Sequence, residues 1–205
     1  MGTRERRERE KEALREEILD AARKLFVTEG YENVSMRKIA EKIEYSPTTI
    51  YLYFKDKGEI LHQICEQTFA KLAKSMARIQ EGVTDPIEGL REGCRTYIQF
   101  GLRHPHHYRL TFMVPTGVAD ANDEYGYEGS MGEQAFNFLV HNVAACVEQK
   151  KFRLVDVAAA SQVIWAAIHG LTSLLITDTF DDFPWVERKK LSDLTIDTLI
   201  RGLTP

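Results

Sequence analysis

Residues 35–61 contain two short predicted helices joined by about three residues, and this spacing constrains the fold more than any other feature. Ser35 can cap the first helix, and Ser46-Pro47 is a helix start, since serine caps and proline tolerates the first helical position. A connection this short makes the two helices cross rather than run antiparallel. The pattern indicates a helix-turn-helix, whose second helix enters the major groove of DNA.

The predicted second helix, residues 47–53, carries side chains that suit DNA. Thr48 and Thr49 offer short hydroxyl and methyl groups for base edges. Tyrosine hydroxyls and a lysine at the start of the next helix can bind phosphate, because a helix N-terminus favours an anion. These predicted phosphate contacts are Tyr51, Tyr53 and Lys57.

The net charge of −4 excludes a polybasic binder, so any DNA-binding surface must come from the placement of charges. Residues 1–60 hold 13 basic and 13 acidic side chains. The basic residues near the motif are Arg37, Lys38, Lys42, Lys55 and Lys57. Residues 4–12 are all charged, and two interpretations stay open for them. Their arginines could reach a groove or phosphates, or the segment could be a solvated helix held by pairs such as Glu5 with Arg9.

The other periodic segments have the helical period, and none alternates as a strand would. We therefore expect an all-α fold of about nine helices, with an N-terminal three-helix helix-turn-helix domain at 1–58 and a helical effector-binding and dimerisation domain at 59–205. The later helices are predicted at 106–113, 132–149, 156–178 and 185–202.

Residues 157–177 carry no formal charge and could span a bilayer by length. Several polar residues interrupt the segment, so we expect a helix buried in protein. No apolar signal-peptide region opens the chain, and the expected location is the cytoplasm. Three widely spaced cysteines argue against a disulfide framework and favour apolar packing.

The histidines suggest an alternative class, a helical metal-binding protein or enzyme. His104, His106 and His107 cluster around a proline, and His169 lies on a later apolar helix. No carboxylate or cysteine stands at ligand spacing, and no phosphate-loop or nucleophile motif occurs. We therefore predict no enzyme activity, no metal and no cofactor.

The motif residues carry a resemblance to the TetR family of bacterial transcriptional regulators, which covers about residues 10–62. The apolar-Ala pair of the first helix is followed by Tyr51, Phe54 and Lys57 in the family's Tyr-x-x-Phe-x-x-Lys spacing. The family usually has glycine in the turn where this chain has Glu44, so we expect a strained positive φ there. Together with the residue chemistry, the resemblance implies a DNA-binding set of Ser35, Arg37, Ser46, Pro47, Thr48, Thr49, Tyr51, Tyr53, Lys55 and Lys57.

Trp165, His169 and Gly170 resemble a C-terminal domain type of this family that is named for its Trp-His-Gly signature. The resemblance implies a homodimer formed through the last two helices and a cavity for a hydrophobic or amphipathic effector. The aromatic and Met residues could line that cavity or be ordinary core. The predicted effector set is Tyr97, Phe100, Tyr108, Phe112, Met113, Phe136, Trp165 and His169. The sequence thus predicts a DNA-binding regulator, a repressor that an effector releases from a palindromic operator.

Overall fold

A computed structural model describes residues 2–112, 128–177 and 187–205 of the chain. These residues form nine α-helices and one short 3-10 helix, with no strand among them, so the predicted all-α class is confirmed. In chain order the helices are α1 (Thr3–Glu29), the 3-10 helix (Tyr31–Asn33), α2 (Met36–Lys42), α3 (Pro47–Tyr51), α4 (Lys57–Gly82), α5 (Pro86–Arg103), α6 (Pro105–Phe112), α7 (Met131–Glu148), α8 (Val157–Ile176) and α9 (Arg188–Leu203).

Local side chains set most helix starts. The Asp85 carboxylate accepts from the backbone N–H groups of Ile87 and Glu88 at the start of α5, and its pKa is lowered by Lys151 and by these bonds. Ser130 and Asp156 cap α7 and α8 in the same way. Such caps satisfy N–H groups that have no partner inside the helix. The helix starts are therefore encoded close to where they occur.

Several predicted helix ends differ from the observed ones by one to three residues. The second motif helix ends at Tyr51 instead of residue 53. The N–H groups of Leu52 and Tyr53 bond to carbonyls three residues back, at Thr49 and Ile50, which tightens the last turn. The predicted start of the last helix at residue 185 lies outside the described residues, and α9 is described from Arg188.

The described residues divide into two compact units. The first unit contains residues up to Thr68 together with residues 106–112. Its core joins α1, α2, α3 and the first half of α4, and Leu110 of α6 packs into it. The expected boundary at residues 58 and 59 falls in the first turn of α4, which continues without a break to Gly82.

The second unit contains residues 69–105 and the described residues from 128 onward. Helix α5 lies against α7, α8 and α9. The helices α5 and α7 approach closely at Gly93, where a methyl group would lie only 2.5 Å from Cε1 of Phe138. Ion pairs from Arg91 to Asp197 and from Arg95 to Asp193 hold α5 to α9.

Helix α8 is the one helix of the described ranges that is long and apolar enough to cross a membrane by length and composition. In the second unit it packs against α5, α7 and α9. Two residues of this helix that carry hydroxyl groups, Ser161 and Thr172, are fully buried, and each donates to a carbonyl of its own helix. Helix α8 is therefore buried along the face that meets these three helices, and its other face, which includes Val163 and Leu174, is exposed.

Candidate nucleic-acid interface

Helix α2 begins at the predicted cap and buries one face. The Ser35 hydroxyl accepts from the backbone N–H of Lys38 at 3.2 Å. Ile39 and Ala40 are fully buried in the core of the first unit. Arg37 lies on the opposite, exposed face, where its guanidinium pairs with Glu41 at 2.8 Å. An exposed pair of this kind contributes little to stability, so Arg37 can exchange its partner for another anion.

The turn after α2 has a specific backbone geometry. The N–H of Tyr45 donates to the carbonyl of Ala40 at 3.0 Å, and the N–H of Glu44 donates to Glu41 at 3.3 Å. Together these bonds form a Schellman motif, which requires a left-handed residue just after the helix. Glu44 has φ 60° and occupies that position, which confirms the positive φ predicted for it.

Helix α3 begins at the predicted Ser46-Pro47 signal. The Ser46 hydroxyl accepts from the backbone N–H of Thr49 at 3.2 Å and lies 2.9 Å from the Thr49 hydroxyl. Ile50 is fully buried and anchors the helix to the core below. The outer face of α3 is exposed at Thr48 and at Tyr51, whose exposed fraction is 56%. A short helix held on one side and open on the other suits insertion into a groove.

The ten residues predicted to contact DNA fall into two groups. Seven are exposed: Ser35, Arg37, Ser46, Pro47, Thr48, Tyr51 and Lys55. The other three, Thr49, Tyr53 and Lys57, are half-buried. Tyr53 packs against the core of the first unit, so part of its ring contributes to the fold.

Lys57 makes contacts within the first unit that the sequence did not reveal. Its ammonium donates to the backbone carbonyl of Tyr31 at 2.8 Å and lies 4.1 Å from the centre of the Tyr31 ring. The predicted phosphate contact stays a prediction. An ammonium has three donors, and the Tyr31 carbonyl uses one of them.

Two exposed residues beside α3 were absent from the predicted set. Tyr45 is 43% exposed in the turn, and Leu52 is 76% exposed just after the helix. Ile50 and Phe54, two residues before and two residues after Leu52, are both buried, whereas Leu52 is exposed. The position of Leu52 in the sequence could have indicated this exposure, because a leucine outside the apolar stripe of a helix points away from the core.

In the second unit, part of the predicted effector set comes together around His169. The Tyr97 hydroxyl lies 3.2 Å from Nδ1 of His169, and the Ser173 hydroxyl lies 3.4 Å from Nε2. Trp165 stacks on the imidazole with ring centres 5.3 Å apart, and Phe136 meets Trp165 edge-on. Burial lowers the pKa of His169 below 6.5, which favours the neutral imidazole.

The remaining members of the effector set lie elsewhere. In the second unit the Phe100 ring contacts that of His104 in a tilted arrangement, with ring centres 5.0 Å apart. Tyr108 is fully buried in the first unit, and its ring contacts that of Phe112 in a tilted arrangement, with ring centres 4.7 Å apart. Met113 lies outside the described residues.

The metal hypothesis gains no support from the part of the chain that the structure describes. No three His, Cys, Asp or Glu side chains converge there in a way that could hold an ion. His107 instead shares a hydrogen bond with the buried Thr68 hydroxyl at 3.1 Å. Burial raises the pKa of Cys65 to about 11 and that of Cys94 to about 12, which disfavours reactive thiolates.

Comparison with known proteins agrees with this geometry. Residues 18–64 match the family model described as bacterial regulatory proteins of the tetR family. Residues 90–199, more than half of the chain, match the model of a tetracyclin repressor-like C-terminal domain. The second match does not distinguish the Trp-His-Gly type.

Among curated proteins, the chain is similar to the transcriptional regulator HbdR of Aromatoleum sp. (strain CIB), with 35% identity over 86 residues, 42% of this chain and 38% of HbdR. It is 29% identical over 91 residues to the transcriptional repressor NicS of Pseudomonas putida, 44% of this chain and 43% of NicS. The chain thus spans less than half of the length of these curated relatives.

Solved structures share the fold along nearly the whole chain. The TetR-family regulator PfmR of Thermus thermophilus superposes with a TM-score of 0.71 at 24% identity, over 92% of this chain and 99% of PfmR. The regulator FadR of Bacillus subtilis, solved with stearoyl-CoA, gives a TM-score of 0.74 at 21% identity, over 91% of this chain and 98% of FadR. With its capped α2 and α3, its Schellman turn and both family models matched, this chain belongs to the TetR family of bacterial regulatory proteins.

Proposed function

We propose that the chain is a homodimeric transcriptional regulator that represses by binding a palindromic operator in the cytoplasm. The observation that carries the proposal is the exposed outer face of α3, held by Ile50 on its inner face and by the Ser46 cap at its start. Family membership supports the same activity. Both observations favour a regulator over the alternative of a metal-binding protein or an enzyme.

The side chains of the motif divide by role. Thr48 and Thr49 are the candidates for base edges, because short hydroxyl and methyl groups fit the major groove. Arg37, Tyr51 and Lys57 are the candidates for phosphates, which position the protein without reading sequence. Tyr45 and Leu52 add exposed apolar surface beside α3 and could pack against thymine methyl groups.

Selection of duplexes from a random pool by the full chain tests the proposal. We expect a palindrome whose half-sites lie about one helical turn apart, 34–36 Å. Thr48→Ala should relax the preference at particular base pairs of the selected site. Thr28→Ala is the matched control, because Thr28 is exposed on α1 and its hydroxyl bonds only to carbonyls of its own helix. Selection of no common sequence by the unaltered chain would contradict the proposal.

The dimer surface that we propose lies on α8 and α9. Helix α8 exposes a row of small and apolar residues at helical spacing: Ala159, Val163, Ala166 and Leu174, with Gly170 open on the same row. On α9, Leu194 is 56% exposed. Exposed apolar rows on neighbouring helices suit a four-helix bundle between two copies.

The oligomeric state of matched variants tests this surface. Leu194→Glu should shift the chain from dimer to monomer in analytical ultracentrifugation, because it would bury an unpaired carboxylate. Leu154→Glu is the matched control, since Leu154 is 93% exposed and precedes α8. Equal behaviour of the two variants would exclude α9 from the interface.

The second unit is the proposed effector-binding domain, of the Trp-His-Gly type. Tyr97 and His169 form a polar pair beside Trp165 and Phe136, as expected for an apolar site with few orienting groups. A solved protein of the same fold carries stearoyl-CoA, an amphipathic molecule, so acyl thioesters are the first probes to test. Binding should weaken operator affinity by roughly 5–150-fold, the usual range of such coupling. Absence of any change in Trp165 fluorescence or melting temperature would favour a regulator without an effector.

A further inference from the structure

The N-terminal third of α1 carries a basic row on one face. Arg4, Arg7 and Lys11 follow one another at spacings of three and four residues, so they share one side of the helix. The same row continues as Leu14, Ile18, Ala21 and Leu25. Those residues form the face by which α1 packs into the core of the first unit. One face of α1 therefore packs into the core at residues 14–25. The same face is cationic at residues 4–11, which lie beyond the core.

The other two arginines of this segment have partners within it, whereas the three cations of the row have none in the part of the chain that the structure describes. Arg6 pairs with Glu10 at 2.7 Å, and Nε of Arg9 donates to the Glu5 carbonyl at 3.3 Å. Among the described residues, the exposed side chains of Arg4, Arg7 and Lys11 take part in no ion pair or hydrogen bond. Arg6 and Arg9 thus have partners within the segment, and a row of three cations is left.

The row ends at Lys11, about one helical turn before a contact between α1 and the segment that follows the recognition helix. The guanidinium carbon of Arg15 lies 4.8 Å from the centre of the Phe54 ring, and Phe54 follows α3 after two residues. At a rise of 1.5 Å per residue, Arg4 lies about 16 Å further along the axis of α1. That distance is about half of the 34–36 Å repeat of a DNA helical turn. The row is therefore long enough to reach phosphates next to a half-site.

From this placement we infer that Arg4, Arg7 and Lys11 bind backbone phosphates that flank each half-site. The inference rests on the proposed operator binding. It assigns these residues an affinity role without sequence readout, because phosphate contacts are the same for every sequence. Glu8 is the one carboxylate that shares this side of the helix, four residues after Arg4 and three before Lys11, so the row keeps a net charge of +2.

Two double variants with the same change in charge test the inference. Arg4→Gln/Arg7→Gln removes two cations from the row, and Arg6→Gln/Arg9→Gln removes two from the other side of the same helix turns. Both are compared with the unaltered chain on a duplex that it selected from a random pool, over a range of salt concentrations. Circular dichroism and melting temperature check that both variants fold.

We expect the first variant to lower the slope of log K against log salt by about 0.9 per lost contact, hence about 2 per subunit. The second variant should keep a slope close to that of the unaltered chain. Arg4→Lys/Arg7→Lys should restore the slope, because it keeps both charges. On a duplex trimmed to the half-sites, the unaltered chain and the first variant should converge.

Several outcomes would overturn the inference. Equal losses in both glutamine variants would show a general charge effect without a specific face, and no loss in either would show no contact. A difference that persists on the trimmed duplex would overturn the flanking position. If the unaltered chain binds no selected duplex, the proposed operator binding is wrong and the inference is wrong with it. This result differs from the others because it is seen with the unaltered chain alone, without any variant.

Discussion

The ammonium group of Lys57 donates to the backbone carbonyl of Tyr31 and also lies against the face of the Tyr31 ring. The contact joins the first turn of α4 to the 3-10 helix after α1, across 26 residues of sequence. Tyr31 in turn is buried and its ring contacts Phe26 at 5.1 Å. One lysine thus links two segments that carry no part of the recognition helix.

Removal of this ammonium should affect stability as well as DNA binding. Lys57→Met keeps the apolar stem and loses a charged hydrogen bond worth about 1.5–3 kcal/mol. We expect the free energy of unfolding in urea to fall by about that amount. If Lys57 also contacts phosphate, the salt slope of operator binding should fall by about 0.9 per subunit.

Lys42→Met is the control, because Lys42 is exposed in the same unit. An unfolding free energy like that of Lys42→Met would mean that the Tyr31 contact contributes nothing measurable. An unchanged salt slope would remove Lys57 from the phosphate-binding set.

Glu44→Gly should stabilise the chain. A left-handed backbone costs a residue with a Cβ about 1 kcal/mol, and glycine avoids that cost. Glycine also gains freedom in the unfolded chain, so the net increase in unfolding free energy should be at most about 1 kcal/mol. The exposed Glu44 side chain takes part in no hydrogen bond among the described residues, so the substitution removes no contact.

Lys150→Gly offers an independent second case. Lys150 has φ 57° at the end of α7, where Lys151 bonds back to Cys146 in the same Schellman geometry. Both substitutions should raise the urea midpoint at an unchanged m-value. A fall for either one would show that its side chain makes a compensating interaction.

Gly93→Ala should destabilise the second unit. The added methyl group would lie 2.5 Å from the buried Phe138 ring, so α5 and α7 would have to separate or the ring would have to move. Overpacking of this kind costs about 1–3 kcal/mol, against about 1 kcal/mol gained in helix propensity. Gly202→Ala is the matched control, because a methyl group there meets nothing within 4 Å. Thermal melting of both variants checks the prediction, and equal melting temperatures would mean that the two helices adjust freely.

His169 should make the chain less stable in mild acid. Burial lowers its pKa in the folded state, so the unfolded chain takes up a proton first as the pH falls through 6.5. Above that pH the imidazole is neutral in both states, so its burial carries no charge penalty. Below that pH the unfolded state is protonated preferentially, and the free energy of unfolding falls. His169→Asn should therefore reduce the drop in urea midpoint between pH values about one unit above and one unit below 6.5. His141→Asn, at an exposed position of α7, is the control. An identical pH dependence in both variants would show that His169 does not set it.

Local sequence determined the helices, their caps and the conformation of Glu44. Each of these depends on residues a few positions apart, because a cap or a Schellman turn is completed within one or two turns of helix. The serine caps of α2 and α3 are therefore found where the sequence predicts them. Local sequence does not predict every contact, however. An ion pair between Glu5 and Arg9 was expected, but the Arg9 guanidinium donates to the backbone carbonyl of Glu5.

Tertiary structure decided which distant side chains meet. Lys57 reaches Tyr31, Tyr97 reaches His169 across 72 residues, and Phe138 fills the space that Gly93 leaves. Tyr108 and Tyr97, which the sequence suggested for one effector site, belong to different units. Periodicity shows which face of a helix is buried, but the partner of that face depends on how all helices pack together. The sequence by itself therefore determined the recognition motif, and only the packing decided which of its cations are engaged within the protein.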